Sequence, residues 1–181
     1  MSAVQKGRRF ELAVVELLSR YRFVVEHTGG SNDRGVDFRG YWRPSERISL
    51  PVIGQCKAYS RRLRPCEVRE MEGTARLHSA PPTLALLVSS NGFSVGSTSL
   101  LRSLTSPIAL ATISLNDASA NLVELSLSPK AQALLPWLFI GSDYKFNNHR
   151  KTVSLLLKKK NGQLIDIRDT TLLSDPPLRH L

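Results

Sequence analysis

Cysteine is nearly absent from this sequence. Only Cys56 and Cys66 occur, with no CxxC pair, which excludes a disulfide-stapled scaffold. The four histidines, His27, His78, His149 and His180, are scattered, so a zinc site is not expected either. No apolar run approaches the roughly 20 residues that a membrane helix needs. No signal peptide is visible, and Lys6, Arg8 and Arg9 lack the long Arg/Ser-rich, acid-poor surroundings of an organelle presequence. An intracellular, reducing compartment is the expectation. Acidic residues are also scarce beside basic ones. Fifteen Asp and Glu against twenty-five Lys and Arg leave a net charge of +10 and a pI near 10.1. That excess favours a polyanionic partner without specifying a fold. With 181 residues, 41% of them hydrophobic, the chain is long enough for one domain with a sizeable core and a small appendage.

Phe10, Val14, Leu17, Leu18 and Tyr21 recur at three- and four-residue steps and predict an amphipathic helix from Arg8 to Arg22. Phe23–Val25 reads as a short strand, followed by a loop in HTGGSNDRG, where Gly29 and Gly30 permit close backbone approach. Val36–Trp42 and Val52–Tyr59 read as two strands joined across Pro44, Ser45 and Glu46. Pro65 suits the first turn of a helix through His78. Leu84–Val88 is apolar throughout, as a buried central strand requires. A helix over Gly96–Leu104 and a strand over Ile108–Leu115 come next, so residues 1–116 are expected to form an α/β core around a mixed sheet. Residues 117–181 read as a C-terminal extension, with a short helix at Ser128–Leu138 and a β-hairpin at Thr152–Asp169 turning at Asn161-Gly162. They are either an accessory subdomain or extra strands on the same sheet.

Chemistry concentrates at one point in this pattern. Strand alternation puts Gln55 and Lys57 on one face and Cys56 on the other. A hairpin centred on Arg47 sets Asp37 opposite Lys57 and diagonal to Gln55, so all three share a face. Phosphodiester hydrolysis asks for a hard cation that grips the phosphate and acidifies a bound water. Mg²⁺, or Mn²⁺ in its place, takes oxygen ligands and only one or two carboxylates. Asp37 supplies a carboxylate, Gln55 an amide oxygen, and the main-chain carbonyl of Cys56 a third donor. Lys57 would orient the attacking water or stabilise charge developing on the phosphate. Glu11, on the first helix, could turn inward with a second carboxylate. Each of these residues taken singly also suits an ordinary surface position; their order along the chain carries the functional reading.

The order Glu11, then GGSNDRGVD ending in Asp37, then Gln55-Cys56-Lys57, resembles the Mrr-like branch of the PD-(D/E)xK nucleases. The resemblance covers roughly Phe10–Leu115. It implies a restriction-endonuclease-like core, a mixed central sheet flanked by helices, that hydrolyses DNA in preference to RNA with Mg²⁺ or Mn²⁺. It also implies catalytic roles for Glu11, Asp37, Gln55 and Lys57, and it allows a homodimer, since many enzymes of this fold pair two sites. In that branch a glutamine commonly replaces the middle acid, as Gln55 does here, and an acid on the first helix assists. Val36 stands where the superfamily name has a proline. RGYW at Arg39–Trp42 and VREMEGT at Val68–Thr74 are similar to a narrower group, the fungal mitochondrial family named for being required for respiratory growth. That likeness implies a mitochondrial location and a role in mitochondrial genome maintenance.

Lys6, Arg8, Arg9, Arg34, Arg61, Arg62 and Arg64 lie where a substrate backbone would pass, and arginine matches phosphate oxygens bidentately. Lys158–Lys160 could extend the groove or contact a partner but read better as a solvated hairpin tip, and Tyr41 and Trp42 could stack on bases, with core the better reading for Trp42. Three function classes compete. One is a metal-dependent nuclease, the second a catalytically weak or inactive nucleic-acid-binding or assembly protein on a nuclease fold, and the third a basic structural subunit of a larger complex, which would show no metal dependence.

Overall fold

The first apolar stripe forms a helix that starts earlier than periodicity indicates. A computed structural model describes residues 2–28, 35–116, 119–145, 150–159 and 161–169. In it, helix α1 spans Ala3–Arg20. Ser2 Oγ accepts from Gln5 N–H and Gln5 Oε1 accepts from Ser2 N–H, a reciprocal cap that starts the helix well before Phe10. Lys6, Arg8 and Arg9 therefore ride on the first turns of α1 rather than leading into it. Phe10, Val14, Leu17 and Leu18 are its buried side chains.

Strands β1 (Phe23–His27), β2 (Phe38–Ser45) and β3 (Ile48–Lys57) form an antiparallel meander. Helix α2 (Pro65–Leu77) leads to β4 (Leu84–Ser89), and α3 (Val95–Leu101) to β5 (Ile108–Leu115). Strand β4 pairs parallel with β3 on one side and β5 on the other, and all six of its residues are buried. Strand β6 (Ala120–Leu127) closes the sheet antiparallel to β5, giving the order β1-β2-β3-β4-β5-β6. The mixed α/β sheet flanked by helices is the expected fold class. After α4 (Pro129–Leu134), strands β7 (Leu138–Lys145), β8 (Arg150–Lys158) and β9 (Leu164–Asp166) make a second, three-stranded antiparallel sheet. Among the described residues beyond β5, one strand extends the main sheet and three build another.

Two apolar clusters sit on opposite faces of the main sheet. One joins α1 to Phe38, Trp42, Val52 and Cys56, and continues into Val153, Leu155, Leu157 and Ile167 of the second sheet region. The other joins Val68, Met71 and Ala75 of α2 to Ile53, Leu87 and Leu110. Alternation along β3 sends Val52 and Cys56 to the α1 side and Ile53, Gln55 and Lys57 to the α2 side. No helix among the described residues is long and apolar enough to cross a membrane.

The β2–β3 register differs from the expected one. Phe38 pairs with Gly54 and Trp42 with Leu50, so extending the ladder sets Asp37 across from Gln55 rather than Lys57. A register irregularity lies between Trp42 and Ser45, around Pro44, which has no N–H to give a ladder. The displacement is two residues, and an even shift leaves every side chain on its face.

Candidate active site and its family

Asp37 stands where the β2 ladder stops. Its N–H donates to Gly54 O at 2.8 Å, and its own carbonyl accepts from Thr28 N–H at 2.7 Å. Thr28 Oγ1 also donates to Val36 O, so the end of β1 holds the backbone on both sides of the aspartate. The next donor on β3, Cys56 N–H, has no strand to meet and donates instead to Asp37 Oδ2 at 2.5 Å. A strand N–H points in the plane of the sheet, so the carboxylate sits at the sheet edge between its two faces.

Gln55 and Lys57 approach from the α2 face. Gly35 makes room for the glutamine. A Cβ on Gly35 would lie 2.9 Å from Gln55 Nε2, and its φ of +77° is strained for any side chain. Lys57 O accepts from Ser90 N–H, so Lys57 turns its main chain to the β4 side. Cys56, one residue back, turns both N–H and C=O to the Asp37 side. Its carbonyl therefore points toward the carboxylate edge, as a third oxygen donor would have to. No ion pair engages Lys57 among the described residues.

Glu11 comes from the opposite face. Its Oε2 lies 2.7 Å from His27 Nε2, and both side chains are about one-fifth exposed. The buried Cys56 thiol feels the charges of Asp37, Glu11 and Lys57. Burial pushes it well above its usual range, the charges of Asp37 and then Glu11 push the same way, and Lys57 opposes them. Among the described residues no three His, Cys, Asp or Glu side chains form a cluster that could hold a metal ion. The donors expected from the sequence are of another kind: one carboxylate, one amide oxygen and one main-chain carbonyl, with a second carboxylate that here lies against a histidine. All are hard oxygen donors, which fits Mg²⁺ or Mn²⁺.

The basic residues divide. Lys6, Arg8, Arg9, Arg62 and Arg64 are exposed. Arg61 is partly committed, since Nη2 donates to Glu67 Oε1 at 2.5 Å and the guanidinium lies over the Tyr59 ring. Arg34, Gly29, Gly30 and Lys160 lie outside the described residues. Trp42 is core, 1% exposed and stacked on Phe23 at 4.7 Å between centroids. Sequence reasoning missed His27 and Thr28. Alternation from Phe23 and Val25 does put His27 on the α1 side of β1, where a histidine needs a polar partner, and that signal could have found it.

Comparison with known proteins identifies the family. The model of the Mrr catalytic-domain family, described as restriction endonuclease, matches residues 3–115. An uncharacterized mitochondrial protein of Schizosaccharomyces pombe is 30% identical over 147 residues, covering 80% of this chain. The chain spans 59% of that relative's length. No solved structure matches. The matched span starts with α1 and ends with β5, so it contains Glu11, Asp37, Gln55, Cys56 and Lys57 together, and the chain belongs to the Mrr-type restriction endonuclease family.

Proposed function

We propose that the chain is a metal-dependent nuclease that hydrolyses phosphodiester bonds of DNA. The observation that carries this reading is the seating of Asp37. Its carboxylate is held at the sheet edge by Cys56 N–H, between Gln55 and Lys57 on one side and Glu11 on the other. A bound Mg²⁺ or Mn²⁺ would polarise the scissile phosphate and acidify a coordinated water. Asp37, Gln55 Oε1 and the Cys56 carbonyl are the residues that would hold it, with Glu11 adding a carboxylate. The Lys57 ammonium orients the attacking water and stabilises charge that builds on the phosphate oxygens. The water's OH joins phosphorus, the phosphorus–oxygen bond to the leaving nucleotide breaks, and that oxygen takes up the remaining proton.

DNA is favoured over RNA because the family is one of restriction endonucleases, and the mitochondrion because the fungal relative is named as mitochondrial. A second reading, a nucleic-acid-binding protein with a weak or silent site, draws on two observations: the middle position is the neutral Gln55, and no triad of acidic or metal-ligating side chains is preassembled among the described residues.

The test incubates the purified chain with single-stranded, duplex and branched DNA, and with RNA, in Mg²⁺, Mn²⁺ or EDTA. Asp37→Ala, Asp37→Asn and Lys57→Ala run alongside, with thermal melts. Cleavage should need metal, favour DNA, and fall by about a hundredfold or more in all three variants. Asp37→Asn separates charge from structure, because its amide oxygen still accepts from Cys56 N–H. Nucleic-acid binding without cleavage in any metal, unchanged by the substitutions, would establish the second reading.

A further inference from the structure

On the face of the sheet opposite α1, the second apolar cluster reaches β3 but not β1 or β2, apart from Val36 just before β2. Val24 is 59% exposed and Tyr41 46%, and Arg39 and Arg43 are exposed beside them. The register gives this surface an order. Val24 pairs with Tyr41 and Tyr41 with Pro51, while Glu26 pairs with Arg39, and directly opposed residues share a face. Arg43, Tyr41 and Arg39 stand at alternate positions of β2, about 6.7 Å apart, in a row that runs down to Asp37. Val24, Tyr41 and Pro51 make a flat apolar band across three strands, with an arginine on either side along β2. Glu26 is the acidic residue facing this surface from β1. The Arg43 guanidinium lies 5.6 Å from the Tyr41 ring centroid. Beyond the site the pattern recurs: Tyr59, 41% exposed and two residues past Lys57, carries Arg61 at 5.0 Å from its ring centroid.

An exposed ring flanked by guanidinium groups is built for a flat, polyanionic ligand. Every base has a π-face to stack on tyrosine, and the arginines match the phosphates between bases. In a duplex both faces of each base pair are already covered by its neighbours, so only an unpaired base can use such a ring. We propose that this face of β1 and β2 is a stacking platform for single-stranded nucleic acid. One base rests on Tyr41, phosphates meet Arg39 and Arg43, and the strand is delivered along β2 to Asp37, with Tyr59 as the platform on the far side. The delivery to Asp37 rests on the nuclease reading; the binding itself does not.

The experiment measures fluorescence anisotropy of a labelled oligothymidine and of a labelled hairpin duplex against the full chain in EDTA, across a salt series. Tyr41→Ala should weaken single-strand binding about tenfold, Tyr41→Phe should restore it, and duplex binding should not move. The Arg39→Ala/Arg43→Ala double variant should flatten the dependence of log affinity on log salt by about 0.7 per lost phosphate contact. Tyr41 is exposed, so its variants keep the wild-type melting temperature. Single-strand affinity indifferent to Tyr41→Ala would overturn the proposal. So would an equal loss for duplex, or self-association that depends on Tyr41 while oligothymidine binding does not. Metal-dependent cleavage by the same preparation is scored separately. A Tyr41-dependent platform without cleavage removes the nuclease reading alone, and cleavage with Tyr41-independent binding removes this proposal alone.

Discussion

At the scale of single residues, His27 connects two parts of the site that the chain supplies from distant positions. It sits at the end of β1, directly before Thr28, whose N–H holds the Asp37 carbonyl, and its ring nitrogen holds Glu11 of α1. A carboxylate on a helix has several rotamers, and one hydrogen bond to a strand residue selects among them. We expect His27 to act as a positioning residue for Glu11. His27→Phe keeps the bulk and removes the nitrogen, and should lower cleavage by about ten- to a hundredfold, the usual range for partners of ligating groups. His27→Gln, which can place an amide nitrogen near the same point, should recover most of that loss, while melts show all variants folded. Equal rates for His27→Phe and wild type would remove the positioning role. That Gln55 and Lys57 leave β3 on one face was legible in the sequence because strand alternation is local. The Glu11–His27 pair was not, because it joins a helix to a strand edge across 16 positions and depends on how α1 lies on the sheet.

At the scale of elements, α2 is held at its start by a buried acid. Glu67 is 5% exposed, and its carboxylate accepts from Arg61, Cys66 and Arg64 N–H. Burial opposes its ionisation, yet the donors from Arg61, Cys66 and the Arg64 backbone outweigh that and lower its pKa to about 2. The sign comes from linkage. A carboxylate whose folded pKa is depressed stabilises the fold fully above its unfolded value, about 4.3, and loses that contribution as pH falls through the folded value. Glu67→Gln should therefore destabilise the protein at pH 7 by about 1–3 kcal/mol. Denaturant midpoints of variant and wild type should converge between the unfolded value and about pH 2. A gap that stays constant over that range would show that Glu67 is not ionised in the fold. Proline at the first turn made α2 readable in advance. The true start of α1 was hidden in the Ser2–Gln5 cap, two polar residues outside the apolar stripe, and the β2–β3 register was hidden in the irregularity at Pro44.

At the scale of the whole molecule, the order of elements through β5 could be read from apolar periodicity, since each element there is either uniformly buried or regularly alternating. Beyond β5 the same reading gave α4 and the β8–β9 hairpin but neither β6 nor β7. Strand β7 carries exposed Phe139 and Ile140 in sequence, with Gly141 and Ser142 after them, and shows no clean alternation. That the second sheet docks near α1 is a long-range fact: Tyr21 Oη donates to Val153 O at 3.0 Å across 132 positions. Leu122, Leu135, Val153, Leu155, Leu157 and Ile167 belong to the same cluster as Phe10, Val14 and Leu18. A chain ending at residue 116 would expose that cluster and leave β5 as an open edge. It should lose its cooperative melt, whereas one ending at residue 169 should keep it. A cooperative transition for residues 1–116 would mean that the matched span folds by itself.

The two tryptophans give this junction its own optical signal. The sequence holds only Trp42 and Trp137, and their rings lie 5.3 Å apart at 56°. Trp42 belongs to the six-stranded sheet, is buried, and donates its indole N–H to Tyr21 O at 2.8 Å. Trp137 belongs to the segment that leads from α4 into the second sheet. Tryptophan emission therefore comes from one spot, where the six-stranded sheet meets the C-terminal segment. If the two parts separate before either unfolds, emission shifts to the red while helical circular dichroism holds steady, so two ordinary spectra suffice to tell undocking from unfolding.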